Sequence, residues 1–136
     1  MLTTPADKAF SRAIRESYEW TCQRCGTIYT PPTKALHCMH FKTRGNWSTR
    51  FIPDNAAAGC YGCHRYIDGH AAEKDMFFLK NIGEGRFEEI ERIANTPAHG
   101  IKRQLKDIAK HYREEYARIR ELREEGKTGY IELIEF

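Results

Sequence analysis

Residues 60–70 of the chain, CYGCHRYIDGH, place two cysteines and two histidines within eleven positions. A second cysteine pair with the same spacing, CQRC at residues 22–25, lies upstream. Two residues between thiols let one turn of chain wrap a metal, and two such pairs are typical of a tetrahedral zinc site. We therefore expect a structural zinc. Its four predicted ligands are Cys22, Cys25, Cys60 and Cys63.

The cysteine count argues against a disulfide scaffold, because five is an odd number and four of the five fall into the two pairs. A reducing cytoplasm and a metal fit this usage better. The alternatives are unliganded thiols or a redox pair, although a redox pair normally stands at a helix start beside a parallel strand. Four thiolates leave no position for water, so such a zinc stabilises the fold and leaves the activity open. Cys38 is expected to be a buried, inert thiol.

Length and composition predict one globular domain over residues 1–136. The chain is 40% hydrophobic and 30% charged, which excludes a disordered protein. Its apolar runs are far shorter than the roughly 20 residues that cross a bilayer, so no membrane partner is expected. The N-terminus lacks an apolar signal core, which favours a cytoplasmic location. A net charge of +3 permits a nucleic-acid partner.

Turn signals and periodicity divide this domain into three parts. Thr4 followed by Pro5 predicts the start of an N-terminal helix over residues 5–18. The middle part, residues 20–73, has the pattern β-loop-β-α. Its predicted elements are a strand at 36–41, a loop at 42–49, a second strand at 50–52 and a helix at 55–68. Residues 74–125 form a helical extension.

In and around the helical extension, the sequence predicts three helices, at residues 71–80, 86–94 and 101–124. Its last helix carries an apolar stripe with steps of three and four residues. A stripe packed inside the protein is the simpler interpretation, and a DNA-facing or dimerising helix is the alternative. The stripe consists of Ile101, Leu105, Ile108, Tyr112, Tyr116 and Ile119.

Three polar residues lie between and after the cysteine pairs: His40 on the first strand, Asn55 before the helix, and His64 directly after the last cysteine. Their order and spacing resemble the HNH motif of ββα-metal, or His-Me finger, endonucleases. The run ALHCMHFKTRGNWSTRFIPDNAAAGCYGCHRY, followed by an amphipathic helix, is similar to phage HNH endonucleases of the NinG/Rap recombination family. The resemblance implies an α+β fold with a zinc-stabilised treble-clef or ββα-metal core, flanked by an N-terminal helix and C-terminal helices.

The resemblance also implies a role for each of these residues. His40 would be the general base, Asn55 would support the loop and the orientation of that base, and His64 would bind a catalytic divalent metal. A neutral histidine can take a proton from water near pH 7. A divalent metal, Mg²⁺ or Mn²⁺, can stabilise the charge on the phosphoryl group and on the leaving oxygen.

The chain departs from the common HNH pattern at Met39, where many members have a second metal ligand. Asp68 lies four residues after His64 and can share its helical face. We rank Asp68 and Glu73 as the missing ligands ahead of two other histidines, His37 and His70.

The loop between the strands is predicted to contact DNA, because basic residues with an interleaved aromatic can bind phosphates and stack on bases. Its candidate residues are Lys42, Arg44, Trp47 and Arg50. A merely solvated loop is the alternative. Each of the three motif residues also has an ordinary structural explanation, such as a hydrogen-bonded histidine or a turn asparagine.

The resemblance, together with the paired cysteines, implies a phage-encoded, metal-dependent DNA endonuclease acting in DNA recombination or processing. Duplex and branched DNA are both possible substrates, and the host cytoplasm is the expected location. The apolar stripe of the last helix allows a homodimer. The competing hypotheses are a non-catalytic zinc module that binds DNA, and an adaptor that uses its last helix as the working surface.

Overall fold

The computed structural model describes residues 2–136 and has an α+β architecture. Within this part of the chain, five α-helices accompany a two-stranded antiparallel sheet, which confirms the predicted α+β class. Short 3-10 turns at Pro53–Asn55 and Ile101–Gln104 precede the second strand and the last helix. The strands are β1 (Leu36–His40) and β2 (Ala56–Cys60), and the helices are α1 (Pro5–Ser17), α2 (Tyr61–Asp68), α3 (Ala71–Ile82), α4 (Glu84–Ala94) and α5 (Leu105–Glu124).

The first helix begins where the sequence predicted. The Thr4 hydroxyl accepts a hydrogen bond from the Asp7 backbone N–H at 3.2 Å, and the Asp7 carboxylate accepts one from the Thr4 N–H at 2.7 Å. This reciprocal capping box satisfies two backbone donors that the first turn would otherwise leave unpaired. The helix buries Phe10 and Ile14 and contacts β1, β2 and α5. It therefore lies at the centre of the protein.

The β-loop-β-α order is present, but the second strand lies later than predicted. Residues 50–52 were expected to form this strand; instead they belong to a turn, and β2 occupies Ala56–Cys60. In the antiparallel register, Leu36 pairs with Cys60 and His40 with Ala56. The helix predicted from residue 55 therefore begins later, at Tyr61, although the alanines at 56–58 favour a helix locally. Pairing along the whole of β1 overrides that preference.

Small side chains on β2 allow its neighbours to approach closely. Ala56, Ala57 and Ala58 are fully buried. At Gly59, an added Cβ would lie only 2.2 Å from the Met39 sulfur. The Met39 side chain therefore occupies the space above this glycine, and it is itself fully buried.

Helices α3 and α4 are attached to the sheet through Phe41, the residue that follows β1. Its ring stacks on Phe78 of α3 at 5.2 Å and on Phe87 of α4 at 4.7 Å between centroids. The helices predicted at 71–80 and 86–94 are confirmed, each with two additional residues at one end.

The apolar stripe of α5 packs against α1, as in the simpler of the two interpretations. The Phe10 and Tyr112 rings meet edge to face at 4.9 Å, and the Tyr112 hydroxyl donates to the Phe51 carbonyl oxygen at 2.6 Å. Ile108, Tyr112 and Ile119 are fully buried. A homodimer through α5 remains a prediction, and it would have to use other residues of this helix. No helix among residues 2–136 is long and apolar enough to span a membrane.

The residues after α5 return across the α1–α5 pair. The Ile131 backbone N–H donates to the Ser17 carbonyl oxygen at 2.9 Å, and the Ile134 N–H donates to the Glu115 carboxylate at 2.6 Å. Leu133, between them, is 5% exposed. This C-terminal tail, residues 127–136, therefore adds apolar burial and hydrogen bonds to the two central helices.

Candidate metal sites and histidine cavity

The four predicted zinc ligands meet in one cluster. Their sulfur atoms all lie within 4.8 Å of one another, with Cys25 and Cys60 3.9 Å apart. In a tetrahedral zinc site with bonds of about 2.3 Å, neighbouring sulfurs lie roughly 3.8 Å apart. The donor set therefore fits a structural zinc, and the predicted cysteine cluster is confirmed.

Local structure positions each cysteine pair. The first pair lies on a tight turn in which Gly26 has φ +80° and Thr21 bridges to Ile28. The Gln23 N–H donates to the Ala58 carbonyl oxygen of β2 at 2.9 Å. In the second pair, the Cys60 sulfur caps α2 by accepting from the Cys63 N–H. The cluster thus joins the turn after α1 to the junction of β2 and α2.

The thiols of this cluster differ in acidity. Hydrogen bonds from Thr27, and then from Cys22, lower the pKa of Cys25 to about 6. Burial raises the pKa of Cys63 to about 12, against the lowering effect of the Arg24 guanidinium 3.4 Å from its sulfur. A bound zinc would therefore displace the proton of Cys63, so zinc affinity depends on pH.

A second site is a cavity of about 750 Å³ beside the sheet. The predicted motif histidines His40 and His64 both line it, as do His37 and Asp68. Residues of α1, β1 and α2 form its walls. The fold therefore brings together histidines that are widely separated in sequence.

His40 ends β1 at the edge of the cavity, with its ring 6.0 Å from that of Phe10. Burial, followed by the nearby Arg44 cation, lowers the pKa of His40 to about 4, while Asp7 and a hydrogen bond to the Arg50 backbone oppose this shift. Its Nε2 atom is buried and has no hydrogen-bond partner among residues 2–136. The imidazole is therefore neutral at pH 7, and one ring nitrogen is unengaged.

Asn55 is fully buried and holds the chain just after His40. Its side-chain oxygen accepts from the Lys42 N–H at 2.8 Å, and its amide nitrogen donates to the Lys42 carbonyl oxygen at 3.0 Å. Its backbone carbonyl also accepts from the Phe41 N–H at 2.8 Å. These three bonds fix the exit of β1 against the start of β2.

His64 lies on the first turn of α2 and contacts two cavity residues. Its Nδ1 atom is 2.9 Å from Nδ1 of His37, and its Nε2 atom is 3.2 Å from the Asp68 carboxylate. Burial lowers the pKa of His64, and Asp68 opposes that shift. Because its ring faces the cavity, His64 belongs to this site and not to the cysteine cluster.

The remaining predicted metal ligands lie elsewhere. Glu73 is exposed on the first turn of α3, does not line the cavity, and interacts electrostatically with Arg24. His70 precedes α3, and its Nδ1 atom is 2.7 Å from the Tyr66 carbonyl oxygen. The structure therefore assembles Asp68 and His37 with His64, and separates Glu73 and His70 from them.

The four predicted DNA-binding residues occupy different environments. Arg44 lines the cavity and donates to the Thr3 hydroxyl. Lys42 forms an ion pair with Glu91 of α4 at 2.8 Å, and Trp47 borders a separate groove with Lys102 5.1 Å from its ring centroid. Arg50 is 1% exposed and donates twice to Asp7, at 3.0 and 2.7 Å, so it is an interior residue and does not lie on a DNA-facing surface.

Sequence reasoning missed most of the positive charge at the cavity. Lys8 of α1, Lys34 before β1, and Lys74 of α3 line it together with Arg15 and Arg44. The acids Asp7 and Asp68 are the only opposing charges in its described lining. Lys8, Ser11 and Arg15 follow a helical spacing, and that was the available sign that one face of α1 borders the site.

These features define a small α+β protein with a zinc-compatible cysteine cluster beside a cationic, histidine-lined cavity. Residues 3–125 match the model of the family described as Bacteriophage Lambda NinG protein, so the chain belongs to the NinG family. Searches of curated proteins and of solved structures found no match. The resemblance to NinG noted in the sequence is confirmed, and it associates the chain with phage proteins involved in recombination.

Proposed function

We propose that this protein is a metal-dependent DNA endonuclease that hydrolyses phosphodiester bonds by an HNH mechanism. The observation that carries the proposal is the neutral His40, whose buried Nε2 atom has no hydrogen-bond partner among residues 2–136 and which lines a cationic cavity with His64. A neutral imidazole in such a position is suited to accept a proton from an attacking water. The order β1, β2, α2 supports a ββα-metal arrangement.

Three residues in and beside the cavity have distinct roles in this mechanism. His40 accepts the proton of the water, and Asn55 keeps the segment after His40 in register through its bonds to Lys42. His64 would hold a divalent Mg²⁺ or Mn²⁺ ion, whose charge stabilises the phosphoryl group and the leaving oxygen. The imidazole and carboxylate donors at the cavity fit such an ion.

The cations of the cavity provide a surface for the DNA backbone. Arg44 lies close enough to His40 to lower the pKa of that histidine, so a phosphate bound by Arg44 would lie near the base. Lys8 and Lys34 are exposed at the same cavity and extend the positive surface. Such contacts position a nucleic acid without reading its sequence. Membership of the NinG family supports branched or duplex DNA of phage recombination as the substrate, cut in the host cytoplasm.

The test is a cleavage assay with supercoiled plasmid and a synthetic four-way junction, with and without Mg²⁺ or Mn²⁺. The wild-type protein is compared with His40→Ala, and His70→Ala is the matched control because His70 lies outside the cavity. Zinc content and circular dichroism establish first that each variant is folded. We expect metal-dependent cutting that falls by at least about 100-fold in His40→Ala, the usual contribution of a general base, and that persists in His70→Ala.

Two results would contradict the nuclease. One is DNA binding with no cutting under either metal, which would leave a zinc-stabilised binding module as the function. The other is equal cutting by the wild-type protein and a folded His40→Ala. If the protein cuts DNA as expected, its preference between the plasmid and the junction distinguishes processing of duplex from processing of branched DNA.

A further inference from the structure

We propose that the divalent ion of the cavity is bound by the Nδ1 atoms of His37 and His64, and that Asp68 orients His64 without binding the ion itself. The inference rests on the proposed function only for the catalytic role of the ion, and the identity of its ligands is a separate question. It revises the ranking made from the sequence, which placed Asp68 and Glu73 ahead of His37.

The separation of the two nitrogens is the first argument. The Nδ1 atoms of His37 and His64 lie 2.9 Å apart, with the ring planes at 84°. Adjacent ligands of an octahedral ion, each bound at about 2.1 Å, lie roughly 3.0 Å apart. Ligands of a tetrahedral zinc at the same bond length lie farther apart, at roughly 3.4 Å. The spacing therefore fits adjacent positions on an octahedral ion, the geometry that Mg²⁺ and Mn²⁺ prefer.

The second argument is the tautomer of His64. Its Nε2 atom is 3.2 Å from one Asp68 carboxylate oxygen, and the Lys74 ammonium is 3.2 Å from the other. The carboxylate is thus held from two sides and accepts the Nε2–H of His64. The lone pair of His64 Nδ1 then faces His37 and accepts a hydrogen bond from the Nδ1–H of that residue at 2.9 Å. Both Nδ1 lone pairs become available to a metal when the proton of His37 moves to its Nε2 atom. Metal-binding histidines commonly donate their second N–H to a carboxylate in this way, which fixes the ring and raises its basicity.

Met39, the β1 position at which many HNH proteins have their second metal ligand, offers no donor to the cavity. Met39, directly before His40, is fully buried with its sulfur against Gly59, so it cannot reach the cavity. His37 lies earlier on the same strand, lines the cavity, and has its ring edge to face with that of Tyr61 at 5.8 Å. Two imidazoles, with water and phosphate oxygens in the remaining positions, form a mixed nitrogen and oxygen ligand set. Such a set suits a transition ion such as Mn²⁺ better than Mg²⁺, which prefers oxygen ligands.

The inference is tested by Mn²⁺ binding to the zinc-loaded full chain, with no DNA present. Electron paramagnetic resonance gives the affinity, and spin-echo modulation by ¹⁴N reports how many imidazoles bind the ion. His37→Ala is expected to bind at least tenfold more weakly and to retain the modulation of a single nitrogen. Asp68→Ala is expected to keep both nitrogens while losing affinity about tenfold, because the carboxylate that orients the His64 ring is lost. His70→Ala, outside the cavity, is the matched control and should bind as the wild-type protein does.

The outcomes separate this inference from the proposed function. Wild-type affinity and two-nitrogen modulation in His37→Ala would overturn the ligand assignment, even if the wild-type protein cuts DNA. Failure of the wild-type protein to bind Mn²⁺ would overturn it as well. Mn²⁺ binding that depends on His37 in a protein that cuts no DNA would support the ligands and refute the nuclease. If His37→Ala does not fold, His37→Gln gives the same comparison with a polar side chain of similar size.

Discussion

At the scale of single residues, the low pKa of His40 in the folded protein makes the free energy of unfolding depend on pH. Its pKa is about 4 in the folded protein and about 6.5 for an ordinary histidine. Above pH 6.5 the imidazole is neutral in both states. Between pH 6.5 and 4 the unfolded chain binds a proton that the folded protein excludes, so the free energy of unfolding decreases as the pH falls.

Replacing His40 should therefore reduce the pH dependence of stability. Between pH 7 and 5, we expect the wild-type protein to lose about 1–2 kcal/mol more of its unfolding free energy than His40→Asn does. Asparagine keeps a donor near the Arg50 backbone and does not titrate. Urea denaturation at several pH values gives both slopes, and the carboxylates common to the two proteins cancel. Identical slopes would mean that His40 titrates normally in the folded state.

Arg50 illustrates what the local sequence could not reveal. An arginine three residues after Trp47 in a basic loop is typical of a nucleic-acid contact, and the sequence was interpreted that way. Its guanidinium is instead buried against Asp7, 43 positions earlier in the chain. Asp7 lies in the first turn of α1, where an acid is common for local reasons alone. A buried ion pair of this kind depends on tertiary packing, which no periodicity within either segment encodes.

At the scale of elements, the cysteine cluster fastens the turn after α1 to β2 and α2. Cys60→Ala removes one sulfur of the cluster and also the cap of α2. We expect this variant to lose its zinc and to melt at a markedly lower temperature, because binding of structural zinc contributes directly to folding free energy. Metal analysis and thermal unfolding provide the measurement.

Cys38→Ala is the matched control for this prediction, since it also removes one thiol. Cys38 lies on β1 outside the cluster, and burial raises its pKa to about 12, so it stays protonated. This variant should keep one zinc per chain. Zinc retained by Cys60→Ala, or lost by Cys38→Ala, would show that the cluster has been misassigned.

Some of these elements could be predicted from the sequence, and others could not. The start of α1 followed from Thr4 and Pro5, and α5 followed from its apolar stripe, because both signals lie within the segment itself. The zinc ligands followed from spacing alone. Strand β2 did not, since three alanines and a glycine carry no strand signal and form a strand only by pairing with β1. The pairing of His37 with His64 was missed because it is a tertiary contact across 27 residues.

At the scale of the whole molecule, the C-terminal tail packs across both α1 and α5 and links these two helices. Leu133 is 5% exposed, whereas its neighbour Ile134 is 59% exposed. We expect Leu133→Ala to lower the unfolding free energy by about 2–3 kcal/mol, through lost apolar contact and the cavity left behind. Ile134→Ala should change it by less than about 0.5 kcal/mol. Denaturant unfolding of the two variants makes the comparison, and equal effects would mean that the tail does not pack on the core.

The position of Cys63 directly before His64 has a consequence for how the protein responds to oxidants. Cys25 is the exposed cysteine of the cluster, which makes its sulfur the one most open to attack. Oxidation there would release the zinc and loosen the first turn of α2. The next residue on that turn is His64, so the histidine cavity would lose its geometry at the same time. An oxidising environment would therefore disrupt the histidine cavity, although none of the four cluster cysteines lines that cavity.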